Sequence, residues 1–387
     1  MGPVLRGVSG SAGTGAAVSH FNFMTKRNLP PKITIYDTTL RDGEQMVGIA
    51  FSERQKLGIA RRLDQLGVPQ LDVGFPAVSR EDMMAVRKIA RAGLDAEILC
   101  LSRLRKEDID AVQEAEADAA LLFIAASPLH LRYKLKITEE DVLHRIPEAL
   151  DHARSLGIKA SFTPEDATRT SLPFLKKMIK TALEAGAWRV GIADTLGCAT
   201  PEAIRFLVQR LRPLARTPFT LHLHNDFGLA LANALAGLEA GADTVATTVC
   251  GFGERCGNVP LEQLAAALRF LYGRDTGIRM EGLTPLCRYV ARIAGVRIPR
   301  NAPIVGNGVF THKAGIHIAG VLACPATYEP YPPDAVGNRR KIVLGRHSGR
   351  SAVGVILRSR GERPDPASLE RALRRVKKRK KERIIII

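Results

Sequence analysis

The sequence predicts a parallel (β/α)8 barrel followed by a small, mostly helical accessory domain. Three observations carry this reading. Short β-rich runs alternate with amphipathic helical stretches eight times. The loops joining them are short, as in repeated βα units. Polar side chains crowd the stretches just after the strands, which is the rim where a barrel of this kind places its chemistry. A doubly wound open sheet is the alternative architecture.

The strand runs are 33–37, 71–75, 97–102, 119–125, 158–163, 188–193, 219–224 and 244–250. Helical patterns lie between and after them, near 52–66, 80–92, 105–117, 138–156, 170–186, 200–214, 228–240 and 260–273. Ser52-Glu-Arg, Thr138-Glu-Glu-Asp and Thr200-Pro-Glu are helix-opening signals, with Pro201 at a first helical position. Gly67, Gly93, Gly157, Gly186 and Gly241 close helices, where a left-handed cap favours glycine. After about residue 275 the rhythm stops. We assign 32–275 to the barrel and 276–360 to an accessory subdomain packing on the barrel mouth or on a partner subunit. Residues 1–31 read as a flexible extension and 361–387 as a basic, disordered tail.

A chain of 387 residues, 45% apolar and 25% charged, has the composition of an ordinary globular protein. No apolar run approaches the roughly 18 residues of a membrane helix, and residues 1–23 lack the pattern of a secretory signal. Met24 reads as a possible start, with the preceding residues a flexible arm or a gene-model artefact. The six cysteines lack the CxxC and CxxH spacings of zinc sites, which fits core or near-site thiols in a reducing compartment. The formal charge of +18 raises nucleic-acid binding, but nine Lys/Arg against one Glu fall between Arg371 and Arg383. That concentration reads as a solvated appendage. A mild basic excess in the body suits a polyanionic carrier such as coenzyme A.

The chemistry begins with His222 and His224, two apart on a strand and so on one face. With Asp42 after the first strand they form an oxygen and imidazole ligand set for one divalent ion, and Asn258 could add an oxygen. Open positions on Mg, Mn, Zn or Co would act as a Lewis acid on a substrate with adjacent ketone and carboxylate oxygens. Arg41 is placed to stabilise an enolate or alkoxide. Glu165 reads as an acid/base group, against a purely structural pairing with Arg169. His312 and His317 read as solvated loop histidines unless the accessory domain closes over the barrel mouth.

The motifs Asp37-Thr-Thr-Leu-Arg-Asp-Gly-Glu-Gln45, Gly74-Phe-Pro, His222-Leu-His-Asn-Asp-Phe-Gly-Leu229, Gly253-Glu-Arg-Cys-Gly-Asn258 and His312-Lys-Ala-Gly-Ile-His317 resemble the DRE-TIM metallolyase superfamily. Within it the chain is similar to the branch of 2-isopropylmalate, citramalate and homocitrate synthases, over about residues 32–357. The resemblance implies condensation of acetyl-CoA with a 2-oxo acid at one divalent metal, followed by thioester hydrolysis. It implies metal ligands Asp42, His222 and His224 with Asn258 close by, and Arg41 on the keto oxygen. His312 with Glu165 would handle protons, aided by Tyr328. Cys256 stands where the family more often has alanine. The motifs around Phe310, Ala326 and Ile342 look closest to homocitrate synthases of the nitrogen-fixation and archaeal types, favouring 2-oxoglutarate over 2-oxoisovalerate or pyruvate. Gln45, His130, Arg169, Thr170 and Thr195 are the candidates for holding the oxo acid. A cytoplasmic homodimer working on small molecules is expected, without membrane or nucleic-acid partners.

Overall fold

The computed structural model describes residues 29–345, 348–359, 361–363, 365–378 and 383–386. The expectations for residues 1–28 and for Arg346 and His347 fall outside the described residues. Eight parallel strands close into a barrel: β1 (Thr34–Asp37), β2 (Gln70–Asp72), β3 (Glu97–Arg103), β4 (Ala119–Ala125), β5 (Lys159–Glu165), β6 (Val190–Asp194), β7 (Phe219–Leu223) and β8 (Thr244–Thr247). β8 pairs with β1 from Thr34↔Thr244 to Asp37↔Thr247, which completes the closure. The sequence reading ran the last strand to 250, whereas Val249–Gly251 is a tight 3-10 turn.

Helices α1 (Glu53–Leu66) to α8 (Leu261–Ala266) follow the strands and bury their apolar stripes against the barrel's outer face. Ser52 and Thr138 form capping boxes with Gln55 and Asp141, and Thr200 caps α6 (Pro201–Leu211) by accepting from the Ala203 N–H. These side chains satisfy N–H groups that the helix itself leaves open. Gly67 ends α1 at φ +91, where a Cβ would also lie 2.5 Å from the Gly277 carbonyl. Inside the barrel, Tyr36, Leu99, Ala119, Leu121 and Ala246 form a separate small core. Gly191 lets β6 and β7 approach, since a Cβ there would meet Thr220 at 2.2 Å.

The structure moves two expected boundaries. Helix α9 (Leu283–Ile293) buries Leu283, Leu286, Cys287 and Val290 in the barrel core, so the barrel's packing continues past 275. Part of the segment read as a disordered tail is helical among the described residues. Pro366–Lys378 forms helix α12, with Leu369, Ala372, Leu373 and Val376 at helical spacing against a second core. That core also takes Ile318 of α10 (Gly315–Ala323), Ile342 and Leu344 of a strand, and Ala352 and Val353 of α11 (Arg350–Ser359). The strand β10 (Lys341–Leu344) pairs parallel with β9 (Thr311–His312) and antiparallel with β11 (Arg383–Ile386). Among the described residues no helix is long and apolar enough to cross a membrane.

Asp37, at the end of β1, is 1% exposed. Burial raises its carboxyl from an ordinary 3.8 to about 7, against bonding from Thr39 that favours the anion. Because the folded value lies above the unfolded one, the folded state keeps a proton that the unfolded chain releases. The associated stability is complete below about pH 4 and is lost as pH rises towards and through about 7. We expect the stability advantage of the wild type over Asp37→Asn to shrink between pH 5 and pH 8, measured by urea unfolding. A difference that grows with pH would contradict the assignment.

Candidate active site

The turn after β1 places Asp42, 2% exposed, beside His222 near the end of β7 and His224 just beyond it. Its Oδ2 lies 3.1 Å from His222 Nε2 and 3.9 Å from His224 Nε2, and the two Nε2 atoms are 3.3 Å apart. Arg41 Nη1 donates to the same Oδ2 at 2.7 Å, while Arg41 Nε donates to Asp72 Oδ2 at 2.8 Å. The Thr38 hydroxyl donates to Asp72 as well, at 2.8 Å. Burial opposes the Asp42 charge, but Arg41 and the histidines overcome it and hold the carboxyl well below the usual range. Burial and the neighbouring His222 lower His224 to about 4, so it is neutral at neutral pH.

The cluster fits a divalent metal on its own geometry. Two imidazole nitrogens and an ionised carboxylate oxygen lie within 4.8 Å of one another, and a neutral His224 offers a lone pair. Behind the carboxylate, the Glu254 N–H reaches Asp42 Oδ1 at 3.4 Å. Asn258 is fully buried, and the orientation its neighbours require turns its side-chain nitrogen to Asp42 Oδ1 and the Phe252 carbonyl, each at 3.2 Å. In that orientation Asn258 stands beside the ligand carboxylate as a donor to it.

A cavity of about 400 Å³ opens over the cluster and runs down into the barrel. Arg41, Gln45, Glu165, Thr195, Lys134 and Arg255 stand around it, and the guanidinium of Arg189, 1% exposed, lies deep within. Glu165 is held by Lys134 at 2.6 and 2.9 Å, with His130 Nδ1 at 3.5 Å. The expected structural partner, Arg169, instead forks onto Asp166 at 2.7–3.0 Å, and the Thr170 hydroxyl donates to the Asp166 carbonyl. Arg169, Thr170 and His130 are absent from the cavity lining. Of the candidates for holding the oxo acid, Gln45 and Thr195 line the cavity, while Arg169 and Thr170 bond to Asp166.

His312 and Tyr328 also stand outside this cavity. His312 is buried in the accessory domain, 3.0 Å from Glu329 Oε1, and Arg340 forks onto the same carboxylate at 2.7 and 2.6 Å. Tyr328 stacks on His317 with ring centroids 4.1 Å apart instead of joining His312. Sequence reasoning missed Asp72, Lys134 and Glu329 as partners of site residues. Arg255, which donates to Asp226 at 2.8 Å and to the Thr195 carbonyl at 2.6 Å, was visible only inside its glycine-flanked motif.

A family profile described as HMGL-like matches residues 32–290, and one described as homocitrate synthase post-HMGL domain-like matches 304–383. A probable 2-isopropylmalate synthase of Ignicoccus hospitalis is 49% identical over 91% of this chain and 88% of its own length. Homocitrate synthase AksA of Methanopyrus kandleri is 47% identical over 90% of this chain and 88% of its own. Among solved structures, the HMG-CoA lyase of Bacillus subtilis superposes with a TM-score of 0.63 at 20% identity, covering 70% of this chain and 96% of that one. This likeness concerns the barrel fold.

Proposed function

This chain belongs to the HMGL-like family, and from that premise we propose that it is an acyltransferase that condenses acetyl-CoA with a 2-oxo acid and then hydrolyses the thioester. The observation that carries this is the Arg41–Asp42–His222–His224 cluster at the C-terminal mouth of the barrel, opening on a cavity of about 400 Å³. In the reaction a base takes a methyl proton from acetyl-CoA, and the resulting carbon attacks the ketone. The alkoxide is protonated, and water then releases the free thiol and the carboxylic acid product. Asp42, His222 and His224 would hold a divalent ion, Mg, Mn, Zn or Co, which when bound supplies Lewis-acid polarisation of the ketone.

Arg41 reads as the fixed donor at the oxygen that becomes negative. Its Nε and Nη1 are engaged by Asp72 and Asp42, and a guanidinium has further N–H groups for a ligand. Thr195 and Gln45 border the space where the oxo acid would lie. Lys134 keeps the Glu165 carboxylate in place at the rim. His312 supplies the proton-transfer group in our reading, oriented by Glu329 and Arg340. Since it is not at this chain's own cavity, a second copy in a homodimer would deliver it. We place that dimer in the cytoplasm.

For the oxo acid, the charge around the cavity favours 2-oxoglutarate, giving homocitrate. Arg41, Lys134 and Arg255 are already paired with Asp42 and Asp72, Glu165 and Asp226, whereas Arg189 at the same cavity has no carboxylate partner among the described residues. A second substrate carboxylate suits that cation. The apolar lining of Leu101, Leu121 and Phe123 supports the second reading, a 2-isopropylmalate or citramalate synthase with 2-oxoisovalerate or pyruvate. The test is thiol release from acetyl-CoA by metal-loaded protein across the three oxo acids. We expect release to need both oxo acid and metal, and kcat/KM to be highest with 2-oxoglutarate. A maximum with 2-oxoisovalerate or pyruvate selects the second reading. No release with any of them sinks the condensing activity.

A further inference from the structure

Behind the barrel mouth lies a second cluster of ligand-type atoms, on residues the condensation does not use. The turn Val249–Gly251 carries Cys250, α8 carries Glu262 and α9 carries Cys287. Their two sulfurs and a carboxylate oxygen lie within 4.8 Å of one another. Cys287 Sγ is 3.6 Å from Glu262 Oε2, and the Cys250 N–H donates to the same oxygen at 3.0 Å. Glu262 and Cys287 are buried, whereas Cys250 is half-buried and gives the cluster a route to solvent.

Two features bear on what this cluster could hold. Glu262 has no ion pair among the described residues; its partners are backbone N–H groups and a thiol. Burial raises its carboxyl from 4.5 to about 7, so near neutral pH a proton stands where a cation could sit. Cys250 adopts φ +59 and ψ 14, a left-handed conformation that non-glycine residues avoid and that recurs at ligand-holding positions. This turn brings its sulfur within 3.9 Å of the Cys287 carbonyl oxygen.

We infer that Cys250, Glu262 and Cys287 form a second metal site, for a thiolate-preferring divalent ion of the zinc type. Two sulfurs and one oxygen are three of the four ligands of a tetrahedral site, with water from the open Cys250 side as the fourth. On binding, two S–H bonds and the O–H bond of the protonated Glu262 carboxyl break, two metal–sulfur bonds and one metal–oxygen bond form, and the released protons leave to solvent. No electrons change hands, so no oxidant is needed. The ion supplies the cation that Glu262 lacks. It also ties α8 and α9 to the turn whose Val249 N–H donates to Thr39 Oγ1 at 2.8 Å. The same loop returns the Glu254 N–H to Asp42. A soft ion here would brace the first site from behind.

The experiment is titration of the reduced, desalted full chain with cobalt(II) and with zinc. Thiolate ligation gives cobalt a strong near-ultraviolet sulfur-to-metal absorption, which a ligand set of two histidines and an aspartate lacks. We expect the band in wild type and in His224→Ala, and its loss in Cys250→Ser and Cys287→Ser. Zinc at saturation should drop by one ion per chain in Cys250→Ser. Should the core variant Cys287→Ser fail to fold, the half-buried Cys250→Ser carries the comparison. A wild type without the band, or a band that survives Cys250→Ser, overturns the proposal. Finding two of the six thiols already oxidised in unreduced, denatured protein overturns it in favour of a disulfide.

Discussion

Arg41→Ala is expected to lower kcat/KM for thiol release by about 10³-fold and to cost about 3 kcal/mol of stability in the same variant. The two effects share one cause. The Arg41 side chain is 11% exposed and bridges Asp42 and Asp72, whose side chains are 2% and 0% exposed. Burial disfavours the guanidinium charge, but the two carboxylates more than restore it and hold Arg41 above an ordinary arginine. It is therefore a permanent cation, fixed before substrate arrives, which is the condition for stabilising charge that develops during a reaction. Removing it leaves two buried carboxylates without their common partner. Arg41→Lys separates the roles. A lysine keeps the charge but lacks the planar fork, so most stability should remain while kcat/KM falls by about 10²-fold. Urea midpoints and kcat/KM measured on metal-loaded protein decide the matter. An Arg41→Ala variant that folds, takes up metal and keeps kcat/KM within a few-fold of wild type removes Arg41 from the chemistry.

How much of this was legible in the sequence depended on whether the information was local. The strands announced themselves as short β-rich runs between capped helices, and the histidine pair on one face follows from strand parity alone. Asp72 did not announce itself, because one acid in a three-residue strand has no pattern until the barrel curls Arg41 over it. The partner of Arg169 was illegible for a different reason. Glu165 ends β5 facing the cavity, but Asp166 turns away at φ +60, and that left-handed step hands Arg169 to Asp166. In the C-terminal helix, Leu369, Leu373 and Val376 were masked by the surrounding lysines and arginines, although their spacing is helical. His312 is the deepest case. Its motif was recognisable, but one chain's sequence cannot say which copy's cavity a histidine serves.

That question yields the second large effect. Arg41→Ala and His312→Ala should each be nearly inactive, the latter by about 10²- to 10⁴-fold for loss of an acid/base group. Mixed together and allowed to exchange subunits, they should recover about a quarter of wild-type activity. Arg41 lines the cavity of its own chain, and His312 does not. If each site takes Arg41 from one subunit and His312 of the partner subunit, a mixed dimer has one site with both residues and one with neither. Random exchange makes about half of the dimers mixed, and half of their sites intact, which gives the quarter. Purifying the mixed dimer through two different affinity tags should raise the recovery to about half. The outcome bears directly on how Glu329 and Arg340 act. They hold His312 inside the accessory domain, so they can orient a proton-transfer group only for the cavity that domain reaches. Recovery in the mixed dimer makes that cavity the neighbour's. Activity no higher than the two variants measured apart, with exchange verified by the tags, removes the shared-site arrangement and leaves His312 without a cavity to serve.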